Sequence, residues 1–376
     1  MAVNVAPAPP PSPKPDAYAR AIRRVYVSAE ARLLAVIAKH LAMGLELSDW
    51  EARTLARLRR VRKLLEGEAA NLTPLPPAIE AAVAAAYDEG VAKAVSDLKA
   101  AELLIPDFKR PTSVGSGVKA LAAKITHNLE QAHFQMVRDA SDAFRDIIVE
   151  VVQVTQGGGV TRRQACQDAL NRFADAGVTG FRDVSGRNWD LATYAEMATR
   201  TTMAHAAVEG QLQTMTANGY DLVVCSSHSE PCPICYEWEG VVLSITGQAK
   251  GYKRVEQALE DGLFHPNCTH TLSPWIPGLS RPMTTRIPQT LEGGYEARQK
   301  QRYIERQIRK WKRREAVAIS DKDRAFAKPR HASGRARCAS SSMRRAGAGT
   351  GRGSSWALRA ESGIMFVLWI TRVSTS

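Results

Sequence analysis

The longest regular pattern of hydrophobic positions in the chain runs from Val118 to about Gln153. Apolar residues recur there in steps of three, four and four, at positions 118, 121, 125, 129, 132, 136, 140, 143, 147 and 151. An eleven-residue period keeps the apolar stripe on one side of a nearly straight helix. The pattern predicts one long helix, which serves either as a core element of its own domain or as an oligomer contact.

Shorter periodic segments flank the long helix on both sides. Residues 17–66 predict two helices, and SDWE at 48–51 reads as a capping box that starts the second one. The apolar face of that second helix is predicted to consist of Leu55, Leu58, Val61 and Leu65. Further helices are predicted at 161–176, after a glycine hinge, and at 189–217.

The β-branched run YDLVVC at 220–225 predicts a strand just before a group of Cys and His residues. The predicted fold class is therefore mainly α, with long helices and a small α+β module of zinc-knuckle type. In that module, short strands surround the Cys/His cluster.

The formal net charge of +13 is unevenly distributed along the chain. Residues 297–376 carry 20 Lys and Arg against 5 Asp and Glu, whereas the first 296 residues carry 31 against 33. Residues 297–316 predict a basic amphipathic helix. Such a helix suits contact with nucleic acid or with an acidic protein surface, and a merely solvated helix is the equal alternative. The cations assigned to this contact are Arg302, Arg306, Arg309, Lys310, Lys312, Arg313 and Arg314.

Two short spacings of soft ligands indicate a metal site. Cys232 and Cys235 form a CxxC, and LFHPNCTH at 263–270 follows about thirty residues later with Cys268 and two histidines. Two ligand pairs joined by a loop are how a chain closes a tetrahedral structural zinc site. With no secretory signal at the N-terminus, metal is favoured over a disulfide between the halves, although buried reduced thiols are a further alternative.

Five side chains compete for four ligand positions. Cys232, Cys235 and Cys268 supply thiolates, and either His265 or His270 completes the set. The spacing favours His265, while His270 would share a face with Cys268 if that segment were extended. The reserve ligands are Cys225 and His228.

The segment SHSEPCPIC at 227–235 also contains the HxE and PCxxC of zinc nucleobase deaminases. A deaminase places its histidine ligand and catalytic glutamate on one helix and its cysteines on the next. Here Glu230 is followed at once by Pro231 and Cys232, which leaves no room for two helices. The deaminase match therefore fails. Because the site has a surplus of ligands and no paired acid or base placed to act, a non-enzymatic protein is predicted. The alternatives are a zinc-dependent hydrolase or deaminase-like enzyme, and a nucleic-acid-binding protein that uses the basic C-terminal helix.

The residues CPIC at 232–235, Trp238, Gly240 and GLFHPNCTH at 262–270 resemble the phage minor capsid protein 2 family, which is related to Mu F-like head morphogenesis proteins. The helix WDLATYAEMATRTT at 189–202 also matches the helix that this family places before its cysteines. The resemblance extends over roughly residues 20–325, and Thr269 replaces the arginine that is usual in the histidine run.

The resemblance implies a low-copy structural head protein of a tailed bacteriophage, assembled in the host cytoplasm and located in the virion. Expected partners are the portal, other head proteins and packaged DNA through the basic helix. No membrane and no small-molecule substrate are expected. The longest apolar run, at 364–370, is too short to span a bilayer.

The predicted domain organisation has five parts. They are a Pro-rich disordered arm at 1–16, a helical domain at 17–156, a Mu F-like Cys/His module at 157–285, the basic amphipathic helix at 286–328, and a low-complexity tail at 329–376. The abrupt change to Arg, Ala, Gly and Ser beyond Pro329 also motivates the hypothesis that the tail is a frameshifted end.

Overall fold

The structure is a computed structural model, and it describes residues 14–103, 107–111, 116–177, 181–182, 188–227, 233–280, 291–330 and 332–334. The predicted arm at 1–13 and nearly all of the predicted tail lie outside these residues. The described chain is mainly helical with one small four-stranded sheet, as predicted. No described helix combines the length and apolar composition that crossing a bilayer requires.

The helices and strands alternate only in the second half of the chain. The larger helices are α1 (Pro15–Ala42), α2 (Trp50–Ala56), α3 (Leu58–Ala70), α4 (Leu75–Ala100), α5 (Ser116–Gln156), α6 (Arg162–Ala176) and α7 (Leu191–Ala217). The smaller elements and the last helices are β1 (Phe181–Arg182), β2 (Asn188–Trp189), β3 (Leu222–Cys225), α8 (Pro233–Tyr236), β4 (Val242–Ser244), β5 (Lys253–Arg254), α9 (Val255–Glu260), β6 (Leu272–Pro274), α10 (Leu291–Ala316) and α11 (321–330).

The long helix predicted from the eleven-residue pattern is α5. Its buried side chains include Val118, Ile125, Leu129, Ala132, Met136 and Ala140, all of them predicted positions. At two steps the buried residue is the next one along, Ala122 and Phe144 in place of Leu121 and Ala143. The stripe therefore turns slightly around α5, because α3, α4, α6 and α7 all pack against it.

The prediction for residues 48–65 is wrong in two respects. The helix begins at Trp50 with Asp49 before it, and no side chain caps its first turn, so the capping box does not form. The helix then breaks at Arg57, and Leu55 on the predicted apolar face is 39% exposed. The physical reason is tertiary: the Trp50 ring is buried and its Nε1 donates to the Leu41 carbonyl 3.0 Å away, which fixes where the turn after α1 ends.

Helices α4 and α7 pack with their backbones in close contact. A Cβ atom added at Gly90 of α4 would lie 1.9 Å from the Ala207 carbonyl oxygen, and one added at Gly210 of α7 would lie 2.3 Å from the Tyr87 carbonyl oxygen. Only glycine permits two helix backbones to approach so closely. This crossing fixes α7 against the helical body, and α7 in turn reaches the sheet.

The sheet has the strand order β5-β4-β3-β6. Strand β3 lies in the centre and is antiparallel to both β4 and β6, while β4 and β5 are parallel. The predicted strand at 220–225 corresponds to β3, one of the two inner strands. Its residues Val223 and Cys225 belong to a second hydrophobic cluster that is separate from the main helical core and is closed by Trp238, Leu243, Leu263 and Phe264.

His133 on α5 lies beside Tyr26 of the main helical core. Its Nε2 is 2.7 Å from the Tyr26 hydroxyl oxygen, and the side chain is buried. Burial lowers the pKa of His133 to about 4, well below the ordinary value of 6.5. The histidine is therefore neutral in the folded protein at neutral pH.

This burial predicts a specific loss of stability in acid. Because the folded pKa is the lower one, the unfolded chain takes up the proton first, so the stability is complete above about pH 6.5 and falls toward about pH 4. Between about pH 7 and pH 5 the free energy of unfolding is expected to fall by about 2 kcal/mol more in the wild type than in His133→Gln. Urea unfolding at both pH values measures this. His127→Gln, at an exposed position of the same helix, should behave like wild type, and equal pH dependence in all three proteins would contradict the prediction.

Candidate metal centre

The candidate site lies where three segments meet at one end of the sheet. Strand β3 ends at Cys225, the short helix α8 carries Cys235, and the turn before β6 carries Cys268 and His270. The turn needs unusual backbone at two residues, since Phe264 and Asn267 both have positive φ angles, 59° and 67°. Asparagine tolerates this conformation better than most residues, which accounts for its place in the HPNC sequence.

Helix α7 holds this turn in position through three side chains. Arg200 donates from Nη1 to Asn267 Oδ1 at 2.6 Å, and Thr201 Oγ1 accepts from the Asn267 backbone N–H at 3.2 Å. His205 Nε2 lies 2.8 Å from the Phe264 carbonyl oxygen. The position of Cys268 is therefore set by α7 as well as by the sheet.

Two thiols and one imidazole converge at the site. Cys235 Sγ is 3.7 Å from Cys268 Sγ, and Cys268 Sγ is 3.3 Å from His270 Nδ1. The ligand atoms of all three side chains lie within 4.8 Å of one another. Cys235 is fully buried, and His270 is nearly so.

These separations match the edges of a zinc coordination tetrahedron. Two sulfur atoms at about 2.3 Å from a tetrahedral ion lie about 3.8 Å apart, and a sulfur and a nitrogen lie about 3.5 Å apart. The observed separations are 3.7 Å and 3.3 Å. The donor set of thiolates and imidazole is also the one that zinc prefers in structural sites.

Glu239 orients the His270 ring by contacting the ring nitrogen that does not face Cys268. Its Oε1 is 2.9 Å from His270 Nε2, and its Oε2 accepts a hydrogen bond of 2.9 Å from the Ser227 hydroxyl. The Glu239 side chain has no solvent exposure. A carboxylate that accepts a hydrogen bond from Nε2 fixes the tautomer in which Nδ1 presents its lone pair. A carboxylate is a usual hydrogen-bond partner of a metal-ligating histidine. Sequence reasoning missed Glu239, since nothing in its spacing from His270 marks it.

The electrostatics favour an ionised thiol at Cys268. Hydrogen bonding by Cys235 outweighs the opposing effect of burial and, together with the His270 ring and backbone N–H, lowers the pKa of Cys268 to about 4. Burial alone would lower the pKa of His270, but hydrogen bonds and negative charge from Cys268 and Glu239 raise it instead. The site therefore favours negative charge on the Cys268 sulfur beside the His270 ring, which is the charge that a cation would meet.

Cys225 is buried beside this group but differs from it chemically. Burial, reinforced by the nearby Cys268 and Glu239, raises the pKa of Cys225 to about 12. Its sulfur lies outside the group formed by Cys235, Cys268 and His270. Cys225 packs instead as a small side chain in the second hydrophobic cluster.

The structure does not bring all of the predicted ligands together. His265, the histidine favoured by spacing, is half-buried with its Nδ1 2.9 Å from the Pro266 carbonyl oxygen, and it lies outside the group of three. The histidine beside the thiols is His270, on the face it was expected to share with Cys268. Cys232, His228 and Glu230 fall in residues 228–232, outside the described part of the chain.

The seven cations predicted on the basic helix divide into two groups. Three of them are engaged within the chain: Arg313 pairs with Asp190 at 2.9 Å and with Glu30 at 3.5 Å, and both Arg314 and Lys310 pair with Asp175. Arg302, Arg306 and Lys312 are exposed, and Arg309 is half-buried. Part of the predicted contact surface thus fastens α10 to α1 and α6.

A comparison with curated proteins defines the class. The chain is 25% identical over 186 residues to a structural protein of Lactococcus phage LL-H, with 46% of this chain and 50% of the relative covered. The chain thus spans about half the length of the curated relative it matches. No solved structure shows a significant match. The similarity is to a structural protein of a bacteriophage.

The family is fixed by a match over most of the chain. The profile described as phage minor capsid protein 2 matches residues 14–345, and the chain belongs to that family. The resemblance carried by the CPIC and HPNCTH segments is thereby confirmed. Membership in a family of structural phage proteins implies a location in the virion.

Proposed function

We propose that the chain is a low-copy minor head protein of a tailed bacteriophage that associates with the portal and acts in head assembly or DNA packaging. Assembly would take place in the host cytoplasm, and the basic helix α10 would contact packaged DNA. The observation that carries the proposal is the match of residues 14–345 to the phage minor capsid protein 2 family.

We further propose that Cys232, Cys235, Cys268 and His270 hold a structural zinc ion. The support comes from the tetrahedral spacing of the three described ligand atoms and from the Glu239 contact that fixes the His270 tautomer. Cys232 is assigned as the fourth ligand from the CxxC spacing. The ion would tie α8 to the turn before β6, two segments that are about thirty residues apart in sequence.

A zinc-dependent hydrolase uses the same kind of ligands, but it needs an open coordination position and a base that reaches the bound water. The carboxylate nearest to the ligands among the described residues is Glu239. Both of its oxygens are already hydrogen-bonded, to His270 and Ser227, and its side chain has no exposure. A structural role for the metal is therefore favoured over catalysis.

Quantitative mass spectrometry of purified particles, combined with chemical cross-linking, tests the proposed role. The protein is expected in mature virions at a small fraction of the copy number of the major capsid protein, cross-linked to the portal. Particles from a strain lacking the gene should be defective in heads or in packaged DNA. Absence from virions would contradict the proposal, and cross-links exclusively to tail proteins would contradict the portal association.

A further inference from the structure

A second feature of the fold carries charge that the metal centre does not use. Helices α1 and α10 enclose a cleft of about 470 Å³, and its lining includes six cationic side chains against two acidic ones, Glu30 and Glu305. The cations are Arg20, Arg23 and Arg24 from α1 and Arg309, Lys312 and Arg313 from α10. Both walls of the cleft are therefore basic, although the first 296 residues carry no net positive charge.

The two helices run in the same direction along the cleft. Arg23 pairs with Glu305 at 3.8 Å near one end, and Glu30 pairs with Arg313 at 3.5 Å near the other. Since each wall places its cations at positions i, i+3 and i+4, the cations of each helix lie on one face within about one turn, which is 5.4 Å. The cleft thus presents two facing rows of positive charge.

The internal ion pairs leave a surplus of positive charge in the cleft. Arg313 and Arg23 are matched by acidic partners, including Asp190 and Glu196. Arg20, Arg309 and Lys312 form no ion pair within the described part of the chain. Burial lowers the pKa of Arg309, and the charges of Arg23 and Arg313 lower it further against the opposing effect of Asp190 and Glu305. A half-buried cation facing like charges is stabilised by an anion from outside.

The chemistry of the cleft suits an oxyanion, and its shape favours a chain of phosphates. Five of its six cations are arginines, whose planar forks bind the oxygens of phosphate or carboxylate groups in pairs. On α10 the residues Arg302, Arg306, Arg309 and Arg313 are spaced four, three and four apart, so one helix face leads from exposed cations into the cleft. A continuous row of this kind fits a chain of phosphates better than a single ion, and 470 Å³ exceeds the volume of one phosphate several-fold.

We propose that the cleft between α1 and α10 binds the phosphate backbone of DNA, with Arg20, Arg309 and Lys312 as the cations that the phosphates engage. The inference rests on the proposed contact between the basic helix and DNA, and it adds α1 as the second wall of the site. Binding of this kind is independent of base sequence and sensitive to salt.

Fluorescence anisotropy with a short random-sequence DNA duplex and the full chain tests the proposal. The variant Arg20→Glu with Lys312→Glu reverses one exposed charge on each wall. Its affinity for DNA is expected to be at least about tenfold weaker than that of the wild type, and its slope of log affinity against log salt about 2 shallower. The matched control reverses two exposed cations on α3, Arg59→Glu with Lys63→Glu, and should lose far less affinity despite the same change in net charge.

Three results would contradict the proposed binding of DNA in the cleft. The first is equal loss in the cleft and control variants, and the second is an acidic peptide that binds more tightly than DNA. The third is loss with Arg302→Glu and Arg306→Glu but none with Arg20→Glu, which would leave the DNA contact of α10 intact while removing α1 from the site. Arg309→Gln gives an independent check inside the cleft, with weaker DNA binding expected at an unchanged melting temperature. Incorporation of the cleft variant into virions, measured separately, reports on the head-protein role and not on the cleft.

Discussion

Replacement of Cys268 by serine is expected to abolish zinc binding and to unfold the Cys/His module while the helical core stays folded. The thiolate at this position touches both other described ligands, Cys235 and His270. A metal present at a free concentration a thousand times its dissociation constant stabilises the folded form by about 4 kcal/mol. The second hydrophobic cluster also supports the sheet, but a structural metal supplies folding energy outright, so its loss is expected to weaken this module first.

Hydrogen exchange measured by mass spectrometry localises this effect. Peptides from β3, α8 and the segment 262–274 should lose protection in Cys268→Ser, whereas peptides from α5 should not. A chelator should produce the same pattern in the wild type and no further change in the variant. His265→Ala is the matched control, since His265 lies in the same turn but outside the ligand group, and it should retain the metal. Unchanged protection from hydrogen exchange in Cys268→Ser would contradict the proposed zinc site.

Replacement of Gly210 by alanine is expected to destabilise the helical body by roughly 3 kcal/mol. The added methyl group would lie 2.3 Å from the Tyr87 carbonyl oxygen and 3.2 Å from the Val91 backbone nitrogen. These are backbone atoms of α4, so no side chain can move aside, and the two helices must separate. Gly90→Ala meets the backbone of Ala207 from the other side and should have a similar effect.

Gly67→Ala on α3 is the control for the alanine substitution itself. No atom lies within 4 Å of its added Cβ, and the residue is exposed. Alanine is favoured over glycine in a helix, so this variant should be more stable than the wild type by about 0.5–1 kcal/mol. Urea unfolding of the three proteins gives the comparison. If Gly210→Ala were as stable as Gly67→Ala, the close crossing of α4 and α7 would be wrong.

The crossing and the metal centre are physically connected through α7. The same helix that packs against α4 at Gly210 carries Arg200, Thr201 and His205, which hold the turn before Cys268. Displacing α7 therefore disturbs the ligands as well as the core. We expect zinc affinity in Gly210→Ala to fall together with its stability.

Local pattern was sufficient to predict the elements that depend on local interactions. The periodic stripe of α5, the glycines after it and the β-branched run of β3 each correspond to an observed element. Helix α6 starts after Thr161, whose hydroxyl accepts from the Gln164 backbone N–H. In each of these cases the residues that determine the structure are neighbours in the chain.

The predictions from sequence were wrong or incomplete where contacts between residues distant in the chain determine the structure. The capping box at 48–51 yields to the burial of Trp50 against α1. Glu239 became visible only when the fold placed it 2.9 Å from His270. For the same reason, spacing alone favoured His265, because it cannot reveal that Asn267 takes a positive φ and turns the chain between the two histidines.

The basic cleft was also beyond the reach of the sequence. Counting charges along the chain placed the basic excess in the last fifth, and this hid Arg20, Arg23 and Arg24 within a balanced segment. Packing of α1 beside α10 adds these residues to the same surface. A charged site formed by two helices that are about 280 residues apart gives no local signal.

Zinc-edge X-ray absorption spectroscopy of the purified protein, combined with its metal content, tests the proposed zinc site. We predict about one zinc ion per chain, with three sulfur neighbours at about 2.3 Å and one nitrogen at about 2.0–2.1 Å. The nitrogen contribution should persist in His265→Ala and disappear in His270→Ala. A protein that retains no zinc, or a zinc ion surrounded only by oxygen and nitrogen, would contradict it.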